Sequence, residues 1–315
     1  MKKFVSKVLL FSLVLVLLLL STIYLVKYHS RFKFDDSKNM LIVGNSHTEY
    51  AFNDGLVDGL LNLGCAGEPY FYTYFKTRKI IEQNPGIKTV LLEFSNDQID
   101  KVMNDWIWSE NAMLNFFPKY GLFMDNEAYN ILKKNNPECF RECLGAILKN
   151  NFKVLSKGLN YVHHDIGGYS TADINRIDSL LRDLALNKRP VEKNELSPVN
   201  IEYTRKLINY LKSRNIKVVL VRAPLHAMYS TYRNEALFRE VLSSQFSDVE
   251  FLDFANFPLT NADYGDFGHL NTKGAAIFSS WFNRLVSEGL LSNPDKQAII
   301  KREMFLQSQH LAASN

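Results

Sequence analysis

The chain begins with an unbroken apolar run. Residues 8–26 read VLLFSLVLVLLLLSTIYLV without a charge, about the length needed to cross a bilayer as a helix. The pattern then changes to short apolar runs at 40–43, 60–63, 88–94, 217–221 and 249–254, the first two closing on Gly44 and Gly64. Short runs bounded by turn residues predict buried strands. Helical spacing fills the gaps at 69–83, 201–214, 235–246 and 272–288, with Asn271 or Thr272 as the cap of the last helix. Strands alternating with helices predict an α/β protein, a parallel sheet covered on both faces. In such sheets functional groups gather at the carboxyl ends of the strands. Ser46, the stretch 62–67, Asn96, the stretch 223–226 and the segment after Phe254 all fall at such ends.

The expected organisation follows. Residues 1–7 form a short basic head, 8–27 a transmembrane signal anchor, 28–38 a polar tether, 39–290 the globular domain and 291–315 a polar helical tail with a frayed end. Lys2, Lys3 and Lys7 precede the span, and no A-x-A-like cleavage site follows it, which favours an uncleaved anchor over a removed signal peptide. Lys27, Arg31 and Lys33 lie just beyond, so the positive-inside comparison nearly balances. The short basic head, which looks like a signal n-region, places itself in the cytoplasm and the domain outside. A span running the other way would make the domain cytoplasmic. Residues 101–198 are too long for a simple crossover. They read as an aromatic-rich helical insertion over the carboxyl edge, either a lid or substrate wall or an extra packing layer.

Composition narrows the classes. Hydrophobic residues make up 46 % of 315 and charged residues 22 %, which is globular. A net charge of +4 leaves no basic excess that would point to nucleic acid. Three cysteines, Cys65, Cys139 and Cys143, are not a disulfide framework and lack metal-ligand spacing.

The candidate chemistry lies in two places. Ser46 follows the first strand in Gly44-Asn45-Ser46-His47, without the second glycine of a G-x-S-x-G elbow. Asp266 and His269 stand three apart before the last core helix. On a turn that spacing folds a carboxylate onto one imidazole nitrogen and leaves the other for a hydroxyl proton. Asp263 is a competing orienter. Taken singly, each is a cap, a turn or a solvated loop.

Together they resemble the SGNH hydrolases, also called GDSL-type esterases and acyltransferases. Four blocks occur in family order: Ile42 to His47, Asn62 to Gly67 (N-x-x-x-x-G), Leu91 to Asp97, and Asp266 to His269 (D-x-x-H). The resemblance implies a three-layer α/β/α flavodoxin-like fold and acyl transfer through Ser46. His269 would be the base and Asp266 its orienter. The Ser46 N–H, the Gly67 N–H and the Asn96 amide would form the oxyanion hole. No metal or nucleotide cofactor is implied. Asn45 stands where the family usually has Asp, and Ser95 where a glycine is common. The first departure resembles members that modify envelope polysaccharides, so the expected substrate is an acylated glycan outside the cytoplasm, met with or without a polysaccharide-modification machinery. His47, His226 and Tyr229 are candidate substrate contacts or local packing groups. Trp106 and Trp108 could stack on a sugar or pack the insertion, and His163-His164-Asp165 reads as a polar loop. The rival expectation from another class is a non-catalytic carbohydrate-binding or scaffold protein of an export complex.

Overall fold

The structure is a computed structural model that describes residues 1–161, 163–186, 195–229 and 234–314. In chain order its elements are α1 (Lys2–His29), β1 (Met40–Val43), α2 (Ser46–Ala51), β2 (Leu60–Asn62), α3 (Tyr70–Gln83) and β3 (Thr89–Glu93). The insertion follows as α4 (Met103–Trp108), α5 (Glu110–Tyr120), a 3-10 turn (Gly121–Phe123), α6 (Asn126–Asn135), α7 (Pro137–Ser156), α8 (His163–Ile166) and α9 (Ile177–Leu186). The chain then completes the domain with α10 (Pro198–Ser213), β4 (Lys217–Arg222), α11 (Glu235–Gln245), β5 (Glu250–Asp253), α12 (Thr272–Ser287) and α13 (Lys296–Ser314).

The five strands form one parallel sheet in the order β2-β1-β3-β4-β5. This is the flavodoxin-like order, a doubly wound sheet between two helical layers. Strands buried on both faces need apolar residues at every position rather than at alternate ones, and MLIV of β1 is buried throughout. Its residues divide between two cores. Leu41 and Val43 pack with Phe71, Phe75, Tyr203 and Leu207 from α3 and α10; Met40 and Ile42 pack with Phe52, Phe278 and Phe282 on the α12 side. Asn271 caps α12, its side chain accepting from the Gly274 N–H at 3.0 Å. The order reverses direction between β1 and β3, so their carboxyl ends open a crevice where such folds bind ligands.

The insertion leaves and re-enters at one neck, where Asp100 bridges to Leu196 and the Ser197 N–H donates to Ile99 O at 2.8 Å. Cys139 and Cys143 meet inside it with sulfurs 3.7 Å apart.

Two expected segments differ. Residues 28–38 are not a slack tether. The Phe32 side chain is 1 % exposed and stacks on Tyr161 at 4.5 Å. Its backbone is bound on both sides, the Phe32 N–H donating to Gln83 Oε1 at 2.7 Å and Asn84 Nδ2 donating to Phe32 O at 2.7 Å. The tail is not merely a polar helix either. Ile300 of α13 is buried, and Lys296 pairs with Glu250 of β5 at 2.8 Å. In both segments a few apolar residues, inconspicuous among polar neighbours, find a core to enter.

Phe32→Ala is therefore expected to cost about 3–5 kcal/mol, read by chemical denaturation of the detergent-solubilised protein. An unchanged midpoint would mean that the segment is slack after all.

Candidate active site

β1 delivers the chain to Gly44, where any Cβ would overlap Cβ of Glu93 on β3. Asn45 then caps α2, its Oδ1 accepting from the His47 N–H at 2.9 Å. Ser46 is thus the first residue of the helix, and its own N–H has no intrahelical acceptor. Ser46 Oγ lies 2.7 Å from His269 Nε2. The other ring nitrogen, Nδ1, lies 2.8 and 3.0 Å from the two oxygens of Asp266.

The loop that presents this pair is folded by its own backbone. The Gly265 N–H donates to His269 O at 2.9 Å, and the Gly268 N–H donates to Asp266 Oδ1 at 2.8 Å. Burial acts to raise the Asp266 carboxyl, but the hydrogen bond and charge of His269 and the loop N–H groups outweigh it, and the net effect is downward. Asp263 is engaged elsewhere, by Thr260 and by Lys273 at 2.8 Å, which leaves Asp266 as the orienter.

Gly67 has φ +69°, and a Cβ there would run into the ring of Trp106. Among the described residues no acceptor takes its N–H, nor that of Ser46. A buried ion pair holds this loop: Lys76 lies 2.8 Å from Glu68 and also donates to Leu63 O and Ile166 O at 2.9 and 3.0 Å.

Asn96 is placed differently from the expectation. Fully buried, its Nδ2 donates to Glu235 Oε2 at 2.7 Å and Asn234 Oδ1 at 3.1 Å, while its Oδ1 accepts from Arg222 at 2.8 Å. The residue of that block that reaches the cavity is Asp97. It accepts from Asn45 Nδ2 at 2.7 Å and from the Ser95 hydroxyl. Asp97 accepts in both of these bonds, and the N–H groups of Ser46 and Gly67 have no acceptor among the described residues. In the bond from Asn45, amide and carboxylate complement one another between the segments that follow β1 and β3.

His47 is buried beside this pair. Its Nδ1 lies 3.3 Å from Glu93 Oε1 and 3.8 Å from Asp97 Oδ1; its Nε2 lies 3.0 Å from Tyr229 Oη. Burial disfavours its charge, but Asp97, Glu93 and more distantly Asp266 outweigh that and push it up to about 9. His47, Glu93 and Asp97 have ligand-type atoms within 4.8 Å of one another. Hydrogen bonds from His47, Gln98, Ser95 and Asn45 to the two carboxylates account for the grouping without a cation.

A cavity of about 680 Å³ opens over Ser46 and His269. Val102, Met103, Trp106, Ile174 and Arg176 line it from the insertion, and Tyr50, His47 and Tyr229 from the domain. Trp106, 44 % exposed, is therefore cavity wall, whereas Trp108 packs against the core. His226 is not part of it: its ring lies 3.1 Å from Asn261 Oδ1, accepts from the Met228 N–H and stacks on Phe267. Asp165 binds Lys153 and Lys157; the side chains of His163 and His164 lie outside the described residues. Sequence reading missed Asp97, Ile174 and Arg176. Asp97 was signalled only by being next to Asn96, and the other two by nothing local.

The sheet order and the cluster at the β1/β3 crevice define the class: a flavodoxin-like α/β protein with a serine, a histidine and an aspartate in hydrogen-bond sequence. Comparison with known proteins goes little further. No curated protein matches the chain. A family model matches residues 172–291, less than half of the chain. One similar solved structure, from Bacteroides fragilis, is described as a "putative acylhydrolase"; it is 11 % identical, covers 83 % of this chain and 92 % of its own, and has a TM-score of 0.35. A likeness that distant assigns no activity.

Two outcomes follow. His47 has a folded pKa above its unfolded value of about 6.5, so its stabilising contribution is complete below pH 6.5 and lost as pH rises through about 9. The melting temperature should fall across that window, and this step should be missing in His47→Gln. Asn96→Ala should cost about 1–3 kcal/mol by breaking a buried network, yet leave fluorophosphonate labelling of Ser46 within a few-fold. A large loss of labelling at unchanged stability would return Asn96 to the oxyanion role.

Proposed function

We propose that the protein is a membrane-anchored serine esterase or O-acyltransferase of SGNH type. Its substrates would be acyl esters, acetyl above all, of a glycan outside the cytoplasm. The observation that carries the reading is Ser46 Oγ at 2.7 Å from His269 Nε2, with Asp266 on the far nitrogen, at the floor of a cavity.

In the proposed mechanism His269 Nε2 takes the Ser46 proton as Oγ attacks the ester carbonyl. Asp266 holds the Nδ1–H tautomer and stabilises the imidazolium. The oxyanion forms against the Ser46 and Gly67 N–H groups, each such donor being worth on the order of 100-fold in rate. Collapse expels the alcohol, which takes the proton from His269, and leaves acyl-Ser46. A second acceptor then attacks, with His269 again as base: water gives an esterase, a sugar hydroxyl a transferase. Trp106 beside Gly67 offers a flat apolar face for a sugar ring. Tyr229, against His47, offers a hydroxyl to the substrate. α1 is apolar and unburied over a bilayer-length window, which suits an anchor for the domain.

A fluorophosphonate probe should label the wild type and not Ser46→Ala. Asp266→Asn should lower turnover of an aryl acetate by on the order of 10⁴-fold. A wild type that neither labels nor turns over any aryl ester would sink the enzyme reading in favour of a binding or scaffold protein.

A further inference from the structure

The end of α1 is not free of the domain. Leu19, Thr22 and Ile23 are half-buried and Val26 is fully buried, whereas Leu20, Tyr24 and Leu25 are exposed. The covered positions follow i, i+3, i+4, i+7, one helical face. The elements packed on α1 are α7 and the 3-10 turn after α5. The 3-10 turn and α1 line one pocket at Lys27 and Tyr28, and we take α7 as the partner of the face one to two turns earlier. The join is sealed by the Arg31 N–H donating to Leu159 O at 2.7 Å and the Tyr161 N–H donating to Arg31 O at 3.0 Å.

Length gives this contact a consequence, which rests on reading α1 as a membrane span. The charge-free run at 8–26 is about 28 Å long at 1.5 Å per residue, and a bilayer core is about 30 Å thick. The run has nothing to spare, so residues 19–26 lie within roughly the outer 10 Å of hydrocarbon. Whatever packs on them reaches that depth too. α7 carries a surface suited to it. Cys143, Ile147 and Val154 point into the core, while Leu144 and Phe152 are 46 % and 55 % exposed, with Leu148 half-buried between them. These three are spaced i, i+4, i+8, one stripe. Exposed Arg141 and Lys149 flank it, as cations flank helices that lie at a membrane surface, while Lys153 is paired with Asp165.

We propose that α7 is an interfacial helix whose Leu144, Leu148 and Phe152 stripe rests in the outer acyl layer beside α1. The domain is then seated on the bilayer in one orientation, and the height of the Ser46 cavity above the membrane is set by packing rather than by slack chain.

Photo-crosslinking tests this on the full chain in phosphatidylcholine–phosphatidylglycerol nanodiscs. p-Benzoylphenylalanine replaces Leu15 in the span, Phe152 on α7, or Phe305 on α13, all exposed positions. Intact mass after irradiation should show lipid adducts at 15 and 152 and none at 305. An adduct at 15 without one at 152 overturns the seating of α7 and leaves the anchor standing. No adduct at 15 removes the anchor, and the seating with it. A protein–protein crosslink at 152 in place of lipid overturns the proposal by assigning the stripe to a second copy.

Discussion

Buried charge at the carboxyl ends of β1 and β3 constrains everything around the site. Glu93 and Asp97 are carried there by β3, and a carboxylate taken out of water needs a partner. His47 supplies it from the helix that begins at Ser46. Asn45 donates to Oδ2 of Asp97, and the Ser95 hydroxyl to Oδ1, the oxygen that faces His47. Gly44 permits the approach by having no Cβ to meet Glu93. The first turn of α2 is thereby fixed, and with it the direction of Ser46 Oγ toward His269. The orientation of Ser46 is thus maintained by groups packed behind it.

The same economy governs the second loop. Gly67 sits in left-handed backbone under Trp106, and the buried Lys76–Glu68 pair holds the segment that carries it. Lys76 also binds Ile166 O in the insertion. Helical insertion and Gly67 loop are therefore mechanically joined. The insertion supplies one wall of the cavity through Met103 and Trp106 and another through Ile174 and Arg176.

Much of this was legible beforehand. All five strands lie where short apolar runs predict them; the signal is clearest in β1, buried throughout, and weakest in the edge strand β5, where only Leu252 is fully buried. Ser46, Asp266 and His269 were legible because each is tied to a local turn beside a strand end or helix start. Asn96 was not. Its neighbour Asp97 faces the cavity instead, and which of two adjacent residues points inward depends on Arg222 and Glu235, more than a hundred residues away. Of the two readings open for His226, the structure shows the local one, its ring being claimed by the Met228 N–H, Asn261 and Phe267. The polar stretch around Phe32 hid one aromatic residue whose partner, Tyr161, lies across the insertion.

By itself, the sequence determined the elements, their alternation and the hydroxyl, imidazole and carboxylate that local turns present. These depend on spacing within a few residues, where backbone geometry leaves few choices. Tertiary structure alone decided which polar groups face the cavity, that the Asn96 amide is held by Glu235 and Asn234, and that the chain after α1 is docked rather than loose. Those outcomes turn on which buried charge finds which partner and which apolar side chain finds which pocket. Both are settled between segments far apart in sequence, where no local pattern records them.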